Sequence, residues 1–253
     1  MIDAHADNED ILWILLRMVW QGPLRSVLPQ ALRIAGDPKA PPYVRIAAFR
    51  AVGAAGTAED IAHVRDAFAD EPGKLKRDWL AELLSEAPRT IASADWLVRC
   101  LGKTASRKPH TVDGLEPAVA DFVREVDLPV LVHLIQSARP LLAETPVIER
   151  RHCEVSERFA WLLAPLALAA VRLAEARDPT ALGVDVLDIF QKLPAARDYG
   201  RMDRSDIKVD LESALSGWAS RARSVMVWSK AGAAMPHPSC PRGRKPTPFP
   251  TRR

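Results

Sequence analysis

The sequence predicts an all-α protein built from short helices that stack in pairs. Alanine and leucine dominate an apolar share of 48%, whereas tyrosine occurs only twice, and this bias favours helix. Apolar residues recur at helical spacing between frequent proline and glycine breaks. No segment alternates apolar and polar residues between hairpin turns, so the sequence predicts no strand.

Ten helices account for most of the chain before residue 217. Ser93 is predicted to cap the sixth helix, and Asp127-Leu128-Pro129 is predicted to begin the eighth, with proline in the first turn. The ninth is expected to be long and kinked at Pro165, which cannot donate a backbone hydrogen bond. Apolar stripes and turn residues place the ten in order at 9–20, 24–35, 42–54, 58–69, 75–84, 93–101, 115–126, from 128, 148–176 and after Asp178-Pro179.

The most informative stretch is 37–60, which reads DPKAPPYVRIAAFRAVGAAGTAED. Small residues on a short helix between proline and glycine breaks let a neighbouring helix approach closely, as in α-solenoids. A spacing of 33 residues separates Asp37 from Asp70, within the range of two-helix repeats. The stretch resembles a HEAT repeat, a family in which helix pairs stack into a solenoid, and the residues that carry the motif are Asp37, Pro38, Arg45, Ala48 and Ala51.

One alternative to the solenoid remains open. An irregular α-helical bundle would show similar helices without a repeated packing order. Within the motif, Arg45 is expected to be structural, tying an inter-helix turn to a carboxylate or to free carbonyls of the adjacent unit.

Charge divides the chain into two predicted regions. Residues 217–253 carry eight basic residues and no acidic one, so residues 1–216 hold 27 basic and 32 acidic residues, a net charge of −5. Six prolines interrupt 235–253, which lacks any periodicity. We therefore expect a helical-repeat domain over 1–216 and a disordered Pro/Arg-rich basic tail over 217–253.

The sequence indicates a cytoplasmic protein with reduced thiols. Its three cysteines, Cys100, Cys153 and Cys240, are far apart and in no metal or redox spacing. The N-terminal residues are acidic, unlike a signal peptide. The apolar runs 11–20 and 159–171 are shorter than the roughly 20 residues a membrane span needs, so no membrane association is predicted.

No group of residues in the sequence predicts catalysis, and we expect no enzymatic activity, cofactor or metal. Gly102-Lys103-Thr104 matches only the end of a phosphate-binding loop, and no strand precedes it. Glu149, Cys153 and Glu157 share a helix face with ligand-type side chains, but interleaved arginines favour a solvated surface.

The run 15–56 also resembles the helical-repeat region that follows the nucleotide-binding domain of large bacterial NACHT-like or STAND-like ATPases. The positions that match include Leu15, Arg17, Trp20 and Gly22, followed by the HEAT-like unit. Because the chain has no phosphate-binding loop and no Walker B strand, the resemblance implies a sensor or scaffold region without its motor, from a split gene or a truncated relative.

Two functions follow as hypotheses. The favoured one is a non-catalytic interaction or sensor scaffold that binds a protein partner or itself. Its expected interface is the apolar N-terminal helix, where Leu12, Trp13, Leu16 and Trp20 are predicted to form one exposed face. The alternative is a HEAT-repeat nucleic-acid-binding protein of the alkylpurine DNA glycosylase type, which would need a basic concave groove.

Overall fold

The computed structural model describes residues 2, 5, 8–106, 113–144, 155, 156 and 158–198, with side chains as far as residue 193. Within these ranges it contains ten α-helices and no named strand, which confirms the all-α prediction. The helices are α1 (Glu9–Gln21), α2 (Leu28–Gly36), α3 (Pro42–Ala55), α4 (Ala58–Asp70), α5 (Arg77–Ser85), α6 (Ile91–Lys103), α7 (Leu115–Glu125), α8 (Leu128–Leu142), α9 (Leu163–Glu175) and α10 (Val184–Asp198).

Each helix packs on the helix two places further along the chain. The odd-numbered helices contact one another in the order α1, α3, α5, α7 and α9, and the even-numbered helices do so from α2 to α10. The two rows also meet, for example where α2 lies on α3 and α8 on α9. One continuous apolar core runs between them from Ile2 to Leu193.

Side-chain caps and prolines set where the helices begin. Thr57 and Asp60 form a capping box at the start of α4, in which each side chain accepts from the other residue's backbone N–H. Pro129 occupies the first turn of α8 as predicted. The predicted cap of α6 is wrong: the hydroxyl of Thr90 accepts from the backbone N–H of Ser93, whose own side chain is buried.

The small residues of the HEAT-like unit line the packed side of α3. Ala48 and Ala51 are fully buried, and α3 contacts both α1 and α2. Asp37 and Pro38 lie in the exposed turn before it, where the Asp37 carboxylate accepts from the backbone N–H of Lys39 at 2.9 Å. A side chain larger than alanine at the two buried positions would hold the neighbouring helices apart.

The ninth helix is shorter than predicted. It begins at Leu163, after a single 3₁₀ turn at Ala160–Leu162, whereas the sequence predicted a helix from residue 148. Pro165 lies in the first turn of α9, where its missing N–H has no intrahelical partner to lose. The proline therefore marks the start of the helix and not a kink. Residues 145–154, which include the predicted beginning of this helix, lie outside the described part of the chain.

Candidate interaction surface

The first helix has one buried and one exposed face. Leu12, Leu16 and Val19 recur at i, i+4 and i+7 and are buried on the side that meets α3. Trp13 and Trp20 each follow a buried position and lie about 100° further round the helix, on its exposed flank. The predicted single face is therefore corrected, because Leu12 and Leu16 belong to the core.

The exposed flank of α1 and the following turn carry a cluster of large apolar side chains. They are between 38% and 54% exposed, and they make up five of the eight exposed large hydrophobic residues among the described residues. We call this set the α1 patch: Trp13, Ile14, Met18, Trp20 and Leu24. A cluster of this kind marks an interaction site more often than scattered single residues do.

Two arginines lie over the tryptophans of the α1 patch. The guanidinium carbon of Arg17 is 5.4 Å from the centre of the Trp13 ring, and that of Arg50 is 5.1 Å from the Trp20 ring. Arg50 Nε also donates to the Glu82 carboxylate at 2.8 Å, and this hydrogen bond raises the pKa of Arg50. Two positively charged side chains therefore border the α1 patch. Arg50 also links it to α3, which carries this arginine, and to α5, which carries Glu82.

The Arg45 contacts expected from the sequence are present. Its Nε donates to the carbonyl of Ala35 in the last turn of α2 at 2.9 Å, and its two terminal nitrogens bind the Glu71 carboxylate after α4. The guanidinium also lies 4.4 Å from the centre of the Trp79 ring. Arg45 is fully buried, so it holds three elements together and is not offered to a ligand.

The same kind of contact recurs further along the chain, which sequence analysis did not detect. Arg65 lies 4.5 Å from the Trp96 ring centre and donates to the Ser93 hydroxyl, and burial lowers its pKa. Arg77 lies 4.4 Å from the Trp161 ring centre and pairs with Asp113. The arginines and tryptophans are visible in the sequence, but they lie on helices that are not consecutive, so their pairing depends on the packing.

Two residues with reactive side chains, Lys103 and Cys100, are engaged within the protein. Lys103 of the phosphate-loop-like tripeptide donates to the carbonyls of Ala69 and Glu71, at 2.6 and 2.7 Å, at the C-terminal end of α4. Burial raises the pKa of the Cys100 thiol to about 12, so it remains protonated at neutral pH. Glu149, Cys153 and Glu157 lie outside the described residues.

A cavity of about 200 Å³ lies between α1 and the turn that joins α2 to α3. Ile2, Leu12 and Val44 give it apolar walls, and Arg33 and Asp37 add charge. Among the described residues, no three His, Cys, Asp or Glu side chains are grouped so that they could hold a metal ion.

Comparisons of the chain with protein-family models, curated proteins and solved structures find no match. Among the helices that the structure describes, none combines the length and the apolar character needed to cross a membrane.

Proposed function

We propose that the chain is an α-solenoid of HEAT-like helix pairs that acts as a non-catalytic protein-interaction module or sensor scaffold. Contacts between each helix and the next but one support the solenoid, because a stack of helix pairs requires this order. An irregular bundle would not repeat it through all ten helices.

Ion pairs between successive members of each row further support the stack. In the odd-numbered row Arg50 of α3 binds Glu82 of α5. In the even-numbered row Arg99 pairs with Asp66, and Arg139 pairs with Asp185 and Asp188. His133 Nε2 adds a hydrogen bond to the Asp95 carboxylate in the same row. Each of these contacts joins a helix to its neighbour in the same row. Polar side-chain contacts as well as apolar packing therefore connect helices that lie two places apart in the chain.

The exposed apolar residues of the α1 patch are the main support for the functional proposal. Tryptophan, methionine and arginine are enriched where proteins bind one another, and all three occur together on this flank. The first helix has its inner face covered by α3, so the outer flank is the part that remains for a partner.

The resemblance to NACHT-like and STAND-like ATPases adds a specific hypothesis. The module would correspond to the helical-repeat region of such an ATPase, and the α1 patch would lie on the helix nearest to the nucleotide-binding domain.

The distribution of charge favours a protein partner over nucleic acid. Two arginines of the HEAT-like helix are engaged within the protein, since Arg45 is buried and Arg50 is paired with Glu82, whereas three others in the first units, including Arg17, are exposed. The exposed charge of α4 is acidic, because its one arginine, Arg65, is buried. A groove that follows the phosphate backbone needs accessible basic side chains instead.

Site-specific photo-cross-linking in cells tests the proposal. A photoreactive amino acid replaces Met18 in the α1 patch, and the matched control carries it at Arg99, which is exposed on α6. We expect a discrete product that contains a protein, from position 18 and not from position 99. Products from both positions alike, or no protein product from position 18, would contradict the proposal.

A titration of the full chain with fluorescent DNA at two salt concentrations tests the alternative. Binding through phosphates weakens steeply with salt. We expect any such binding to be unchanged when the exposed Arg17 is replaced by alanine, because Arg17 is proposed to contact a protein partner and not the phosphates of DNA. A loss of DNA affinity in Arg17→Ala would favour the nucleic-acid function.

A further inference from the structure

We propose that the part of the α1 patch around Trp13 and Ile14 is the interface of a homodimer in which two copies of α1 pack antiparallel, with Asp10 of each copy facing Arg17 of the other. This inference rests on the proposed interaction function and names the partner as a second copy of this chain. It follows from the order of charged and apolar residues on the exposed flank of α1.

Asp10 and Arg17 are exposed and lie seven residues apart, which is about two helical turns and about 10 Å along the axis. They therefore share one side of α1, with Trp13 and Ile14 midway between them. An antiparallel copy rotated about this midpoint places an acid opposite a base at both ends. A parallel copy would place like charges together, so the flank is self-complementary in one orientation.

The helix termini favour the same orientation. In an antiparallel pair the positive N-terminal end of each helix dipole lies near the negative C-terminal end of the other. The dipoles and the Asp10–Arg17 pairs thus act together.

The apolar residues supply the centre of the proposed interface. Trp13 and Ile14 lie on the two-fold axis, and Met18 extends the contact on one side. A helix of 13 residues is about 20 Å long, and its face is smaller than the ~800 Å² that each partner contributes to a standard interface. We therefore expect a reversible dimer whose population depends on concentration.

Charge reversal in the full chain, followed by sedimentation velocity over a wide concentration range, tests the geometry. The wild type should show a monomer–dimer equilibrium. Asp10→Arg and Arg17→Asp should each weaken dimerisation by at least about tenfold, because each creates two like-charge contacts in a two-fold dimer. The double variant D10R/R17D should restore dimerisation, since it exchanges the charges within both pairs.

Glu59→Arg is the matched control. Glu59 is an exposed acid in the first turn of α4, so its reversal changes net charge and the helix-dipole interaction as Asp10→Arg does, away from the α1 patch. Dimerisation should persist in this variant. A wild type that is monomeric throughout, or a double variant that remains as weak as the single ones, would overturn the proposal.

The cross-linking experiment separates this inference from the function on which it rests. Capture of a second copy through position 18 supports both. Capture of a different protein alone overturns the homodimer and leaves the interaction module intact, whereas capture of no protein overturns both.

Discussion

The guanidinium carbon of Arg45 lies 4.4 Å from the centre of the Trp79 indole ring, while the same group binds the Ala35 carbonyl and the Glu71 carboxylate. One buried side chain therefore joins α2, the end of α4 and α5. Its charge is compensated by Glu71, each of its three nitrogens donates a hydrogen bond, and its flat face is packed against an aromatic ring. This arrangement explains why an arginine is tolerated inside the core.

Replacing Arg45 by alanine should destabilise the protein strongly. The change leaves the largely buried Glu71 carboxylate without its partner, which typically costs about 3–5 kcal/mol. Arg45→Lys should also be costly, because an ammonium cannot reproduce the two-nitrogen contact with the carboxylate and the stacking on Trp79. Urea unfolding followed by circular dichroism measures both changes.

Arg99→Ala is the matched control. Arg99 and Asp66 form an ion pair with an N–O distance of 3.5 Å, and both side chains are largely exposed. Its free energy of unfolding should change by less than about 1 kcal/mol. Equal losses in Arg45→Ala and Arg99→Ala would contradict the structural role of Arg45.

Gly56 should not tolerate alanine. A β-carbon at this position would lie 2.7 Å from the carbonyl oxygen of Val52, so the end of α3 would have to move. Overpacking of this kind costs about 1–3 kcal/mol. Gly102→Ala is the control: it lies in α6 with open space around it and should stabilise the protein by about 0.5–1 kcal/mol. Thermal unfolding of the two variants should therefore shift in opposite directions.

Cys100 should react with thiol reagents only when the protein unfolds. Burial raises the pKa of the thiol to about 12, and the attacking species is the thiolate. In a chain with Cys153→Ser and Cys240→Ser, the rate of modification should follow denaturant concentration. Rapid modification of the native protein at neutral pH would contradict the buried position.

The same thiol predicts a pH dependence of stability on the alkaline side. An unfolded-state thiol ionises near its ordinary value of 9.0, whereas the folded one stays protonated up to about 12. Between these values the unfolded state binds fewer protons, so the free energy of unfolding falls as pH rises, by at most about 1.4 kcal/mol per pH unit. Cys100→Ala should reduce this alkaline slope.

The capping box of α4 predicts an effect on the acidic side. The backbone N–H and then the hydroxyl of Thr57 lower the pKa of Asp60. This contribution to stability is present above the ordinary pKa of an aspartate and is lost as pH falls through the lowered value. At acidic pH the free energy of unfolding should depend less on pH in Asp60→Asn than in Asp66→Asn, which lies on the same helix. NMR titration of the two carboxyls gives an independent measurement.

Helical periodicity and local caps allowed much of the fold to be predicted. The first-turn proline of α8 and the small residues of α3 depend on neighbours within a few residues, and the structure agrees with both. The second helix was predicted from residue 24, but α2 begins at Leu28 after a 3₁₀ turn at Arg25–Val27, and Leu24 is exposed. The structural role of Arg45 was also predicted, because its place in the HEAT-like motif favoured contacts with a carboxylate or with free carbonyls of the adjacent unit.

Other features were decided only by the tertiary structure. The sequence of α1 is apolar on most sides, and its packing on α3 determined that Leu12 and Leu16 are core residues whereas Trp13 and Trp20 are exposed. The start of α9 after a 3₁₀ turn likewise depended on how that segment meets its neighbours. A periodic pattern defines a helix, but it does not state which of several apolar faces a neighbour will cover.

By itself, then, the sequence determined the helical class, the order of the helices and the turns between them, since these arise from interactions within one or two helical turns. The pairing of Arg45 with Trp79, of Arg65 with Trp96 and of Arg50 with Glu82 joins residues about thirty positions apart. Only the packing of each helix against the next but one brings such residues together, because the direction of a side chain toward a distant partner is set by contacts between helices.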